Sequence, residues 1–308
     1  MLLYSHAVFG RHEVPPGHAE RAERYGAVTA ALAEDAFAGL ERREAPIGDW
    51  AAIERAHAGL HAAAVKASAP QEGLVQLDAD TFMGPHSLDA AMRAVGAACA
   101  AVDAVAGGEG DHAFCVTRPP GHHATPDKAM GFCVFNTVAV AAFHARAVHG
   151  LQRVAVVDFD VHHGNGTQDI FWDDADAFFA SSHEWPQYPG TGTEDETGAH
   201  GNIANARLQT GTGSLAFRKA WETRLLPALD AFAPDIVFIS AGFDAHEADP
   251  LGGLALAEDD YDWATREIAA VAKDRSGGRV VSCLEGGYDL AATASSAAAH
   301  VRALAETE

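Results

Sequence analysis

Residues 153–167 read RVAVVDFDVHHGNGT, in which an apolar run passes directly into carboxylates and imidazoles. The run Arg153–Asp158 is short and rich in Val, which predicts a buried strand of a parallel sheet. In the extended chain that leaves such a strand, alternate side chains point the same way. Asp158, Asp160 and His162 therefore share one side, while the residues between them face the core. Such groups pointing together are costly unless a cation neutralises them, so the stretch also indicates a metal site.

Apolar segments of this kind recur along the chain and alternate with Ala-rich stretches of helical periodicity. The alternation predicts one domain over residues 1–308, a three-layer α/β/α fold with a mainly parallel sheet, since no linker or repeat divides the chain. The predicted strands are Ala113–Val116, Arg153–Asp158, Ala177–Ser182, Asp235–Ser240 and Arg279–Leu284. The predicted helices are Ser87–Ala106, Asn136–His149, Ser214–Phe232, Glu258–Lys273 and Leu290–Ala305. We expect Ser87 to be an N-cap, Gly107-Gly108 to end that helix, and Tyr188 to Gly213 to form the longest loop.

Composition excludes several classes of partner. The 308 residues include 21 basic and 43 acidic residues, a formal net charge of -22, which argues against direct binding of nucleic acid. The four cysteines are far apart and show no Cys-x-x-Cys spacing, so they indicate neither disulfides nor a thiolate zinc site and favour a reducing cytoplasm. No apolar run approaches the ~18 residues that span a bilayer, so we expect no membrane contact.

Two more segments place reactive side chains at predicted strand ends. Asp244 follows the strand that starts at Asp235, and Tyr288 follows the strand that starts at Arg279. Open α/β sheets bind ligands at the carboxyl ends of their strands, so residues remote in sequence can meet in one pocket there. Asp244 could complete an Asp-His-Asp ligand set that leaves a coordination position open, as catalytic zinc requires. An Asp-x-Asp-x-His run alone could equally be a solvated turn, but the accompanying motifs favour the metal site.

Five motifs together resemble the histone deacetylase superfamily, and most closely its class II enzymes and bacterial amidohydrolases. They are RPPGHHA (118–124), GFCVFN (131–136), DFDVHHGNGTQ (158–168), AGFD (241–244) and EGGYDL (285–290). The similarity extends from residues 17–21 to the C-terminal helix. It implies an arginase/deacetylase-like fold and a zinc-dependent amidohydrolase that removes acetyl or other acyl groups from N-acyl-lysine side chains or similar small acylamides.

The resemblance also implies roles for individual residues. Zn2+ is expected on Asp160, His162 and Asp244. The tandem His122 and His123 are expected to move protons, with Asp158 behind His122, Asn165 behind His123, and the Tyr288 hydroxyl polarising the substrate carbonyl. His123 is favoured as the group that protonates the leaving amine, although acid–base chemistry requires such a group without choosing between the two. A structural K+ is expected on Asp158, Ser181 and Ser182, together with backbone oxygens.

The substrate channel follows from the same resemblance. Gly131, Phe132 and Tyr188 are expected to line it around the aliphatic stem of the substrate. Leu251 stands where polyamine-selective relatives carry an acidic residue, which favours acyl-lysine because Leu cannot pair with an ammonium group. Glu247, Asp249 and the net negative charge nevertheless offer polyamines another route of attraction. The resemblance further suggests that Arg24 lines an exit path for acetate.

Three alternative functions remain open. An acetylpolyamine amidohydrolase would use the same chemistry on another substrate. An arginase-like binuclear manganese hydrolase needs a further carboxylate, and Asn165 occupies the natural position for it. A non-catalytic module that binds acyl-lysine or acetate would have no need of His122, His123 and Tyr288, whose presence favours an enzyme.

Overall fold

The predicted apolar segments form the centre of an eight-stranded sheet in the computed structural model, which describes residues 1–308. The strands are β1 (Leu2–Ser5), β2 (Glu41–Glu44), β3 (Val75–Asp78), β4 (Thr81–Met83), β5 (His112–Cys115), β6 (Val154–Asp158), β7 (Ala177–Trp185), β8 (Ile203–Gln209), β9 (Ile236–Ala241) and β10 (Val280–Leu284). The large sheet has the order β2-β1-β5-β10-β9-β6-β7-β8, and every pairing in it is parallel. Strands β3 and β4 form a separate antiparallel pair.

Helices cover both faces of this sheet. They are α1 (Glu23–Ala31), α2 (Trp50–Ala56), α3 (Gly59–Ser68), α4 (Ser87–Ala106), α5 (Thr137–His149), α6 (Asn165–Phe171), α7 (Ser214–Ala220), α8 (Leu226–Phe232), α9 (Glu258–Ser276) and α10 (Leu290–Thr307). A π-helical turn, Trp221–Leu225, joins α7 to α8. None of the helices combines the length and the apolar character that crossing a membrane requires.

Alternating side chains of the central strands explain the layers. In β6, Val154 and Val156 belong to the apolar cluster that contains α4 and α5, whereas Ala155 and Val157 belong to the cluster that contains α8, α9 and α10. All four side chains are fully buried. A strand that buries both faces reads as a continuous apolar run, and this is why β6 was recognisable from its sequence.

The five predicted strands and four of the five predicted helices are confirmed, with ends that differ by three residues or fewer. The predicted helix Ser214–Phe232 is helical throughout but is divided into α7, the π-helical turn and α8. The predicted loop from Tyr188 to Gly213 is wrong in part, because it contains β8. The prediction of Ser87 as an N-cap is also wrong. His86 occupies that position, and the Ser87 hydroxyl instead accepts a hydrogen bond from the backbone N–H of Gly84 at 2.7 Å.

The sheet order places the motifs side by side. Strands β5, β10, β9 and β6 are neighbours at the centre of the sheet, and each one is followed by one of the segments that carry reactive side chains. Their carboxyl ends lie at the same edge, because the strands are parallel. The fold therefore assembles a site from residues 118–124, 158–163, 241–244 and 285–288.

Candidate active site

Asp160, His162 and Asp244 form a buried cluster at this edge. One ligand atom from each lies within 4.8 Å of the others, and the two carboxylates are fully buried. Backbone N–H groups hold these carboxylates in place: Val161 donates to Asp244 Oδ1 at 2.8 Å, and Gly286 donates to Asp160 Oδ2 at 2.8 Å. The two acidic groups thus come together although repulsion between them is unfavourable.

The surroundings of these residues fit a divalent cation. Asp244 Oδ2 is buried and accepts no hydrogen bond, although it lies 3.2 Å from His162 Nδ1. Burial alone would lower the pKa of His162, but Asp160 and Asp244 raise it to about 10. The carboxylates therefore favour positive charge at this point, which a metal ion supplies when it displaces the imidazole proton. Two carboxylates, one imidazole and open coordination positions match a catalytic zinc site.

The close approach of these carboxylates requires glycine at two motif positions. A Cβ atom on Gly242 would clash with the carboxylate of Asp160, and one on Gly286 would clash with those of Asp160 and Asp244. The glycines of the AGFD and EGGYDL motifs therefore leave the space in which the acidic side chains converge. Any larger residue would push the carboxylates apart.

His122 and His123 lie beside this cluster with different partners. His122 Nδ1 is 2.9 Å from Asp158 Oδ2, and His123 Nδ1 is 2.8 Å from Asn165 Oδ1. The two ring centroids are 4.0 Å apart. The structure thus places both predicted partners behind the paired histidines.

The two histidines also differ in the direction in which their surroundings shift the pKa. Burial alone would lower the pKa of both rings. At His122 the carboxylates of Asp160 and Asp158 outweigh burial and raise the pKa well above its usual value. At His123 burial, reinforced by the neighbouring His122 and His162, lowers the pKa well below its usual value. The pair therefore combines one ring that holds a proton readily with one that stays neutral.

Tyr288 closes the other side of the cluster. Its ring is mostly buried, 4.8 Å from the Arg24 guanidinium carbon, and burial raises the pKa of its phenol well above the usual value. The hydroxyl consequently keeps its proton and can donate a hydrogen bond. Arg24 is itself fully buried and donates to Glu20 Oε1 at 2.8 Å and to the carbonyl oxygens of Glu285 and Gly287.

A cavity of about 220 Å³ leads to these groups. All four residues predicted for the substrate channel line it. The lining residues are Asp80, His123, Gly131, Phe132, His162, Gln187, Tyr188, Leu251 and Tyr288. A wider cleft of about 790 Å³ lies beside it along the chain from Gly10 to Glu23, and it shares Leu251 and Tyr288 with the cavity.

The channel wall at Phe132 is held in a rare backbone conformation. Gly131 has φ 56° and Phe132 has φ 68°, both in the left-handed region. That conformation costs a non-glycine residue on the order of 1–3 kcal/mol unless its surroundings impose it. Asp80 Oδ1 accepts from the Gly131 N–H at 3.1 Å, and Thr81 Oγ1 accepts from the Phe132 N–H at 3.0 Å. These two residues were not anticipated, because no motif links them to the channel.

Glu285 supports the histidine pair from behind. Its Oε2 accepts from the backbone N–H of Gly121 at 2.6 Å and of His122 at 3.2 Å. Burial raises the pKa of this carboxyl to about 7. The sequence contained the residue within a motif, but its role arises from contacts with a segment more than 160 residues away.

The sequence suggested that Asp249 could attract cations, but the structure shows its carboxylate engaged by the backbone. It is buried, and both carboxylate oxygens accept backbone hydrogen bonds. Oδ1 accepts from Leu251 at 2.9 Å, while Oδ2 accepts from Tyr288 at 2.6 Å and from Asp289 at 3.2 Å. Through these hydrogen bonds the side chain of Asp249 links Leu251, which lines the cavity, to Tyr288.

We expect Asp249→Asn to lower kcat by about tenfold to a hundredfold with a smaller change in KM, because an amide N–H₂ would face the backbone donors that now hold Tyr288. Steady-state kinetics on the metal-loaded protein would measure this. Glu247→Gln removes the charge of an exposed neighbour and serves as the control, with kcat unchanged. Equal kinetics for both variants would contradict the positioning role of Asp249.

The residues expected to bind potassium lie together but have other partners. Asp158 pairs with Ser181 in register between β6 and β7. The Ser181 hydroxyl is 2.9 Å from His183 Nδ1, and the Ser182 hydroxyl accepts from Trp221 Nε1 at 3.0 Å. A potassium ion at this position stays a prediction.

Comparison with known proteins identifies the family. Residues 18–304 match the histone deacetylase domain. The chain is 44% identical over 246 residues to type-2 histone deacetylase 2 of Dictyostelium discoideum, covering 74% of this chain and 14% of that protein. It is 39% identical over 277 residues to the histone deacetylase-like amidohydrolase of Pseudomonas aeruginosa, covering 88% of this chain and 73% of that protein.

The fold agrees with these relatives. The crystal structure of the HDA15 HD domain matches with a TM-score of 0.92 and 34% identity, covering 99% of this chain and 91% of that chain. The chain spans 14%, 58% and 57% of the length of three curated relatives, from Dictyostelium discoideum, Arabidopsis thaliana and Oryza sativa subsp. japonica. Since the match extends over nearly the whole chain and includes the segments that build the site, this chain belongs to the histone deacetylase family, a family of hydrolases.

Proposed function

We propose that this chain is a zinc-dependent amidohydrolase that removes acetyl or other acyl groups from the side-chain amine of N-acyl-lysine or a similar small acylamide. The observation that carries the proposal is the convergence of Asp160, His162 and Asp244 beside a histidine pair and a protonated phenol. The family match supports the reaction class. Zinc held by these three residues would supply Lewis-acid chemistry, polarising a carbonyl and making water more acidic.

His123 is the better candidate for proton transfer during the reaction. It lines the cavity, whereas His122 does not, and Asp158 engages the Nδ1 atom of His122. A neutral His123 can accept a proton from the attacking water and then return it to the leaving amine. The carboxylates of Asp160 and Asp158 raise the pKa of His122, so this ring is suited to hold a proton beside the reacting groups.

Tyr288 supplies the remaining stabilisation. A phenol that keeps its proton can donate to the carbonyl oxygen, and the hydrogen bond strengthens as that oxygen gains negative charge. We therefore expect Tyr288→Phe to lower kcat by about 10²–10³-fold while zinc content and KM change little. Tyr188→Phe, which removes the hydroxyl of the half-exposed channel tyrosine, serves as the matched control and should retain most of the activity. A Tyr288→Phe enzyme with normal kcat would rule out this role.

Leu251 supports acyl-lysine as the substrate class. It lines the cavity and carries no charge, and the nearby Asp249 is occupied by backbone donors. A free ammonium group of a polyamine therefore gains no ionic partner from either residue. The wide cleft beside the cavity offers room for groups flanking an acyl-lysine side chain.

Substrate preference is testable with two compounds measured side by side. We expect kcat/KM for an acetyl-lysine peptide to exceed that for N-acetylputrescine by about tenfold or more, because the peptide gains contacts outside the channel and the polyamine gains no ionic partner from Leu251 or Asp249. Longer acyl groups on the same peptide would define the acyl length that the cavity accepts. A preference for N-acetylputrescine would identify an acetylpolyamine amidohydrolase instead.

A further inference from the structure

A second group of ligand-type side chains lies on the helices away from the active site. Asp103 is in the last turn of α4, and His144 and His149 are on the neighbouring α5. The Nε2 atoms of the two imidazoles are 2.7 Å and 2.6 Å from the same oxygen, Asp103 Oδ1. Three potential metal-binding atoms from two helices thus meet at one point.

The group is open to ions from solvent. The side chains of His144 and His149 are 14% and 25% exposed, and that of Asp103 is 51% exposed. Asp103 and His144 also line a surface cleft of about 280 Å³, together with Asp49 and Arg55. A metal ion here could therefore complete its coordination with water from the cleft, while the second carboxylate oxygen stays available.

The donor atoms select a class of cation. Two imidazoles with one carboxylate suit zinc, nickel and copper, whereas calcium and magnesium prefer sets made of oxygen atoms. The carboxylate also stands at the C-terminal end of α4, where the helix dipole disfavours negative charge. A bound cation relieves that unfavourable placement, and the formal net charge of -22 attracts cations to the protein as a whole.

This group is separate from the catalytic cluster. Helix α5 begins beside the active-site segments, where Asn136 donates to Thr167 Oγ1 at 3.0 Å and to the carbonyl oxygen of His122 at 3.4 Å. His149 lies at the opposite end of the helix, about 18 Å along its axis at ~1.5 Å per residue. A metal ion at this end would not contact the reacting groups.

We propose that Asp103, His144 and His149 bind a divalent transition-metal ion of the zinc, nickel and copper class at a second site that ties α4 to α5. The side chains need only a small rotation, because an N···O separation near 2.6 Å must widen to about 3.3 Å for both atoms to bind one tetrahedral zinc ion. All three side chains are partly exposed, so this adjustment does not disturb the core.

Calorimetric titration of the zinc-loaded enzyme with further Zn2+ tests the proposal, with metal content and melting temperature measured in parallel. We expect one additional equivalent, and a rise in melting temperature of roughly 4–6 °C when free zinc is a hundredfold above its dissociation constant. His149→Asn and Asp103→Asn should weaken this binding by at least about tenfold and abolish the rise. Hydrolytic activity of both variants should stay unchanged.

His200→Asn is the matched control, because His200 is an exposed histidine whose ring bonds only to the backbone of Asp173. This variant should bind the additional equivalent as the unaltered chain does. The proposal is overturned if the unaltered chain binds no more zinc than His149→Asn, or if His200→Asn weakens binding equally. The test compares each variant with the unaltered chain and asks only whether one further equivalent of zinc binds. Its outcome therefore does not depend on which metal the active site holds.

Discussion

Asp160→Ala should lose the zinc equivalent of the active site and lower kcat by more than about 10³-fold. Asp160 contributes one of three ligand atoms, and its loss leaves His162 and Asp244 as an incomplete set. Removing a single oxyanion donor already costs ~10²–10³ in rate. Loss of the metal also removes the Lewis acid that polarises the carbonyl, so the effect should be larger. Metal analysis and steady-state kinetics on the same preparation measure both results.

The control for this variant is Asp260→Ala. Asp260 is also buried, but its carboxylate accepts hydrogen bonds from Ser214 at 2.5 Å and Arg218 at 2.9 Å, away from the active site. This change should cost stability while kcat and metal content stay near their original values. If Asp160→Ala keeps its zinc and full activity, the assignment of the metal ligands is wrong.

When the pH is lowered from 6.5 to 4, three buried histidines should together lower the free energy of unfolding by on the order of 10 kcal/mol. Burial lowers the pKa of His57 and His183 to about 4 and that of His300 to about 3. Below pH 6.5 these side chains take up protons in the unfolded chain but not in the folded one. These three side chains therefore lower the free energy of unfolding as the pH falls across this window, by an amount comparable with the whole stability of an ordinary domain.

Substituting one histidine isolates this effect from the active-site carboxyl groups. Glu285, whose pKa burial raises to about 7, binds its proton more readily in the folded chain and opposes the loss. His300 is fully buried between Thr265 and Ser282, at 2.6 Å and 2.8 Å from their hydroxyl oxygens. His300→Gln should reduce the pH dependence of unfolding by about one proton, or ~1.4 kcal/mol per pH unit between pH 6 and pH 4.

Urea unfolding at a series of pH values measures this difference. The exposed His200 provides the control, and His200→Gln should leave the pH dependence unchanged. His300→Gln will also lower stability at neutral pH, because it loses packing and hydrogen bonds, but that loss does not vary with pH. A profile for His300→Gln parallel to that of the unaltered chain would show that His300 does not titrate differently on folding.

The parts of the fold that were predictable have strong local signals. The first and last residues of helix α4 were predicted correctly, because its apolar periodicity is long and glycines follow it. Strand β6 was recognisable because both of its faces are buried. Strand β2, Glu41–Glu44, carries only charged side chains, and β8 mixes polar with apolar residues. Both are edge strands, which form because a neighbouring strand offers backbone hydrogen bonds rather than because of their own composition.

The candidate site likewise contains residues that the sequence indicated and residues whose role it did not indicate. Its reactive residues stand in recognisable motifs, and their positions after predicted strands indicated one edge of a sheet. The roles of the supporting residues carried no such signal, even for Glu285, which lies in a motif: Asp80 holds the channel wall, Glu285 holds the histidine pair, and Asp249 holds Tyr288. Each acts through a side chain that accepts from backbone N–H groups of a segment distant in sequence. Such contacts exist only after the chain has folded.

The amino-acid sequence determined the alternation of strands and helices, the family, and the identities of the candidate metal ligands and proton carriers, because these depend on local pattern and residue type. The tertiary structure alone decided three further points. It brought β5, β10, β9 and β6 together as neighbours, it engaged Asp249 with backbone donors that include the N–H of Tyr288, and it set Asp103 between two histidines of another helix. Strand order and the packing of helices bring together residues far apart in the chain, and no local pattern records which of them will meet.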